Sequence, residues 1–114
     1  IGTSEPTTAL QVNGTITASG MTGLSSLSIN NTSTSDSLLV TTTEDSSTAG
    51  PVISLKRNSS SPADADYLGQ IKFKGENDAD QEINYAKITG KILDASDGTE
   101  DGIIEFMMVT EIDG

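Results

Sequence analysis

The sequence contains no cysteine, no histidine and no tryptophan. Without cysteine, no disulfide can brace a small fold. Without histidine, the commonest general base and metal ligand is missing. Aromatic residues make up 4% of the chain and hydrophobic residues 33%, so the stock of core-forming side chains is thin. Basic residues are scarce as well: 6 Lys and Arg face 17 Asp and Glu, giving a formal net charge of −11 and a pI near 4.1. That balance excludes the basic footprint of a nucleic-acid binder and disfavours adsorption to anionic membranes. No apolar run approaches the length of a membrane span, so no membrane insertion is expected, and the start carries no signal-peptide pattern. The chain opens Ile1-Gly2-Thr3 rather than with Met, which reads as a piece of a longer polypeptide, processing being the alternative.

What is present in excess is Ser and Thr, about a quarter of the 114 residues. A monomer of this size buries a limited share of its surface even with an average composition. Two solutions remain open: partial disorder, or a core shared between copies of the chain.

Composition divides the sequence. Residues 1–43 hold only two charged residues, Glu5 and Asp36, whereas all the basic residues and the other acids lie beyond them. The change falls in "EDSSTAGP", residues 44–51, which has the turn and breaker residues of a connection. A Ser/Thr-rich β-shaft segment over 1–47 and an antiparallel β-meander module over 48–114 are therefore expected. In the first segment, Leu10 and Val12 are in step ahead of Asn13-Gly14, a hairpin signal that a turn between stacked rungs would share. "GLSSLSIN" and "SLLVTTT" are further β-prone runs. Each carries too few apolar residues for a sandwich core and suits a narrow solenoid or an intertwined multi-chain shaft.

The second segment patterns more clearly. "GPVISLKRN" predicts a strand whose facing is ambiguous. In "LGQIKFKG", Gly69, Ile71, Phe73 and Gly75 alternate against Leu68, Gln70, Lys72 and Lys74. In "INYAKITGKI", Ala86, Ile88, Gly90 and Ile92 oppose Tyr85, Lys87, Thr89 and Lys91. "IIEFMMV" is apolar on both sides, which predicts a strand that is central or buried at an interface. A meander of three or four antiparallel strands follows, with no helix beyond a single turn in "SPADADYLGQ". Glycines on the apolar face permit close approach of another surface; a bulge or kink is the alternative. Ile71, Phe73, Ile88, Ile92, Ile104, Phe106 and Met108 are the residues expected to be buried between chains or in the sheet core.

Candidate sites are few. Glu76, Asp78, Asp80 and Glu82 alternate around "NDADQ", and Asp94, Asp97, Glu100 and Asp101 crowd "DASDGTEDG". Ca²⁺ binding is conceivable at either, but neither matches an EF-hand, and solvated turns account for both. A glycosidase needs paired carboxylates at a set separation, which chance supplies among so many acids, and four aromatics cannot build much of a sugar platform. No G-x-S-x-G elbow, P-loop or dinucleotide fingerprint occurs. The N-x-[ST] triplets at Asn13, Asn30, Asn31 and Asn58 are expected by chance in so Ser/Thr-rich a chain. No catalytic, cofactor-binding or metal residue is assigned, and the protein is expected not to be an enzyme.

The stretch "IGTSEPTTALQVNGTITASG" resembles the G-I-G-T-x-x-P…L-x-V-x-G segment of long bacteriophage tail-fibre and tail-spike proteins and of some bacterial surface proteins. In those it often precedes a self-cleaving intramolecular chaperone. Ile1, Gly2, Thr3, Pro6, Leu10, Val12 and Gly14 stand at the matching positions. Residues 49–106, from "AGPVISLKRN" to "GIIEF", resemble a module that recurs in structural proteins of marine phages, cyanophages among them. The resemblance covers nearly the whole chain and brings no catalytic residue. It implies a homotrimer and a virion, extracellular location in a tail fibre that supports host attachment. Other parts of the same fibre chain and virion tail proteins would be its partners. The expected fold is all-β: a trimeric intertwined β-shaft followed by a small antiparallel β-sheet module packed about a three-fold axis. The alternatives are a receptor-binding module that recognises host-surface glycan or protein through loops 58–66, 77–82 and 94–101, a depolymerase domain, and a segment of a bacterial surface adhesin.

Overall fold

The computed structural model describes Val12 and residues 14–110. The expected hairpin signal at Asn13-Gly14 and most of the tail-fibre-like motif therefore lie outside the described residues. The chain divides into two compact units, Ile1–Thr41 and Thr42–Gly114, a boundary just ahead of the composition shift.

The described residues contain three strands and no helix. Strands β1 (Tyr67–Glu76), β2 (Glu82–Asp94) and β3 (Asp101–Met108) form one antiparallel sheet in the order β1-β2-β3. Each joins the next through a short hairpin, as expected for a meander. The first hairpin is organised by Asn77. Its Oδ1 accepts the N–H groups of Ala79 and Gln81, both at 3.0 Å, while its own N–H donates to the Gln81 carbonyl at 3.0 Å. Asp80 takes a left-handed conformation there, φ 57°, which a short polar side chain tolerates. In the second hairpin, Asp94 Oδ1 accepts the Ser96 N–H at 2.8 Å, and Gly98 supplies the positive φ that turns the chain.

Three bulges interrupt the ladders. Leu68 is the extra residue between the pairs Tyr67–Lys91 and Gly69–Gly90. Tyr85 is extra between Phe73–Ala86 and Lys74–Asn84, and Leu93 between Ile92–Gly102 and Asp94–Asp101. Both alternatives for the strand glycines are realised. Gly69 sits next to a bulge and also beneath Leu55: a Cβ at position 69 would lie 2.9 Å from Leu55 Cβ. Gly75 lies under the Tyr85 ring, whereas Gly90 has open space above it.

Two expectations are corrected. Of the two placements expected for the strand apolar on both sides, central or at an interface, the first does not hold: β3 is an edge strand, and the short hairpins place β2 in the middle. The run at residues 52–57 is not a fourth strand. Its end is held instead by Arg57, whose guanidinium donates to the Tyr67 carbonyl at 3.0 Å and lies 3.8 Å from the Asp66 carboxylate. Residues 63–66 make one turn, closed by the Asp66 N–H on the Ala63 carbonyl. Residues 14–66 as a whole contain no strand, including the β-prone runs at 23–30 and 37–43.

The sheet has no core of its own. No hydrophobic side chain among the described residues is buried; the one fully buried residue is Thr89, at 0% exposure.

Candidate functional site: an uncharged sheet face

The period of two along each strand and the observed register sort the side chains into two surfaces. On one, cross-strand rows run Gly69–Gly90–Ile104, Ile71–Ile88–Phe106 and Phe73–Ala86–Met108, with Ile92–Gly102 at the end. None of these residues is charged, in a chain of net charge −11. On the other surface the rows are Tyr67–Lys91–Ile103, Gln70–Thr89–Glu105 and Lys72–Lys87–Met107.

Part of the mixed surface is satisfied within the chain. Gln70 donates its side-chain N–H to the Thr89 hydroxyl at 3.2 Å, and Lys91 lies 3.5 Å from Glu105 and 4.7 Å from the centre of the Tyr67 ring. Thr89, the buried residue of this surface, stands between Gln70 and Glu105 in the register. Lys74 pairs with Glu82 at 3.1 Å on an exposed edge, a contact of small energetic weight.

The uncharged surface is open. All seven residues expected to be buried lie on it: Ile88 and Ile92 are half-buried, and Ile71, Phe73, Ile104, Phe106 and Met108 are exposed. Within a single chain, then, none of them is in a sheet core. Phe106 at 77% and Met108 at 78% are the most exposed large hydrophobic residues described. Shallow hollows lie along β3, one of about 230 Å³ lined by Ala86 and Met108 but also by Lys87 and Met107, another of about 300 Å³ lined by Gly90, Gly102 and Ile104 but also by Lys91 and Ile103, so neither belongs to the uncharged surface alone.

The acidic loops do a different job. Asp94 is held below the ordinary carboxylate range, chiefly because it accepts the Ser96 backbone N–H, with the Ser96 and Thr99 hydroxyls adding to the effect. Glu100 is lowered as well, by backbone N–H groups of its own residue and of Gly98. Both carboxylates thus shape a turn. In the first hairpin Asn77, not the flanking acids, makes the organising bonds. Among the described residues no group of three or more acidic side chains converges closely enough to hold a metal ion. The three loops considered for recognition are not one surface. Residues 63–66 and the 94–101 hairpin meet through Asp64, which accepts the Ala95 N–H at 2.9 Å, and through Ala65 and Asp66 on Ile92. The 77–81 hairpin lies at the opposite end of the sheet.

The alternation that sequence reasoning used for strand facing also located this surface. What it missed was the contact of Leu55 with Gly69; the only signal was a glycine at an apolar-face position. No protein-family model, curated protein or solved structure matches the chain.

Proposed function

We propose that the chain is a structural segment of a homotrimeric bacteriophage tail fibre, which supports host attachment by spacing and stiffening rather than by catalysis. The observation that carries this reading is a sheet with no buried apolar side chain and one wholly uncharged face. A sheet that is hydrophobic on one face must bury that face against another element to make a core. Three copies packed about a common axis would bury those faces against one another and pool the scarce hydrophobic residues. The resemblance of residues 1–20 and 49–106 to fibre and spike segments supports the same assignment, with residues 1–47 as an intertwined shaft. The charge on the remaining surface would keep such fibres soluble and apart.

The reading is of a non-enzymatic protein. It is supported by the lack of His and Cys and by the use of the loop carboxylates as turn acceptors. Light scattering coupled to size exclusion tests it: the expected mass is three times the 11.8 kDa of one copy. A compact single copy that melts cooperatively would overturn it. The receptor-binding alternative gains one specific feature, the shared end formed by residues 63–66 and 94–101, and would require host-surface binding by this chain alone.

A further inference from the structure

The sheet face is too small to hold three copies together alone. Its rows span roughly 20 Å along the strands and about 14 Å across three of them, from ordinary strand spacings. Even doubled for side-chain relief, that falls short of the ~800 Å² per partner of a stable interface, and in a ring each copy divides its face between two neighbours. More apolar surface must take part. The same unit holds one further strip close to the sheet. Val52, Ile53 and Leu55 are all exposed, and Leu55 already lies over Gly69 on the β1 side of the uncharged face. Arg57 ties that strip to the start of β1.

The two flanks of the face therefore differ. The β1 flank carries its own apolar strip, and the β1 strand bears Lys72 and Lys74 and the bulge at Leu68. The β3 flank carries Ile104, Phe106 and Met108 with nothing over them, on an edge strand that lacks Lys and Pro, the usual guards of an edge. Two different patches on opposite sides of one surface suit a heterologous contact, the kind that closes rings. The charge distribution specifies the occupant. Copies each carrying −11 approach most easily through a surface from which charge is absent, and both patches are free of it.

Building on the trimer proposed above, we infer that the Val52–Leu55 strip of each copy covers Ile104, Phe106 and Met108 of the next copy round the ring. The contact is directional, so residue 53 meets residue 104 of a neighbour and neither meets itself.

The absence of cysteine makes the test clean, because introduced thiols are the only ones. Ile53→Cys and Ile104→Cys are made singly and together, with Val52→Cys and Met108→Cys as a second pair in case the first perturbs assembly. Each protein is oxidised under native conditions and run on a denaturing gel. A covalent trimer from either double variant, and no cross-link from any single variant, is the expected result. A covalent dimer from Ile104→Cys or Met108→Cys alone would show β3 meeting its own copy and overturn the inference. A native mass of three copies with no cross-link from either pair would overturn it while leaving the trimer standing. A native mass of one copy for the unaltered protein would remove the trimer and the inference with it.

Discussion

Residues 31–61 and residues 67–108 satisfy their backbone N–H groups in different ways. In the first stretch Ser33, Ser35, Glu44, Ser46, Thr48 and Ser61 each donate a backbone N–H to the side-chain oxygen two residues earlier. These are Asx- and Ser/Thr-type turns, in which short polar side chains compete with a ladder for the same donors. In the second stretch Ser and Thr are rare, and outside the two hairpins, where Ala79 and Ser96 make the same local bond, the donors go to neighbouring strands. The comparison teaches why β-prone composition was not sufficient for strands in the first region. Threonine favours an extended backbone, but a side-chain oxygen two residues back offers these six N–H groups a nearer partner. Leu38 to Thr41, which lies between two such groups of turns, has no side-chain bond of this kind and keeps its apolar side chains exposed.

The largest expected effect breaks the sheet side of the comparison. In the proposed trimer, Phe106→Asp would place a carboxylate where neighbouring copies would bury an aromatic ring, at a cost of several kcal/mol per site, as is typical of an unpaired buried charge. The assembly should be lost, read as a fall in solution mass to one copy; a trimer with an unchanged melt would refute the assignment of this face.

Hydrogen exchange sharpens the other side. If residues 1–47 form the proposed intertwined shaft, the amides of Leu38–Thr41 should exchange slowly, because ladder partners would come from other copies. Those of Ser33, Ser35, Ser46 and Thr48, bonded only to near side chains, should exchange fast. Equal, rapid exchange across the whole stretch would end the shaft reading for it.

A smaller effect concerns the one place where an irregular segment touches the sheet. Gly69→Ala puts a methyl 2.9 Å from Leu55 Cβ, a contact that must be relieved by backbone movement. Overpacking of this kind costs about 1–3 kcal/mol. Leu55→Gly in the same chain removes that Cβ and should restore part of the loss, and denaturant melts of the single and double variants measure the coupling.

On the opposite face, Thr89→Val removes the acceptor of the Gln70 amide and should cost about 1 kcal/mol without changing the solution mass. Smallest is the acid response of the second hairpin. Asp94 has a folded pKa below its unfolded value, so its contribution to stability is complete above about pH 4 and is lost as the pH falls through the folded value. Asp94→Asn should flatten this part of the stability curve at low pH and leave neutral pH little altered.

Alternation alone was enough to say which side chains share a surface. Gly69, Ile71 and Phe73 fall together because successive residues of a strand point to opposite faces, whatever the strand pairs with. The polar turn between Glu76 and Glu82 was readable for a similar reason: Asn and Asp form local bonds that need no distant partner. Which strand lies at the edge could not be read this way. The "IIEFMM" run suggested a strand that is central or buried at an interface, because apolar residues on both sides usually mean cover on both sides. Pairing of β2 with both neighbours put it on the outside, and pairing depends on residues far apart in the chain. The fate of residues 52–57 depended on the same kind of contact, since a strand forms only where a free edge accepts it. A local pattern can orient a side chain, but only the folded arrangement of distant segments determines what, if anything, lies against it.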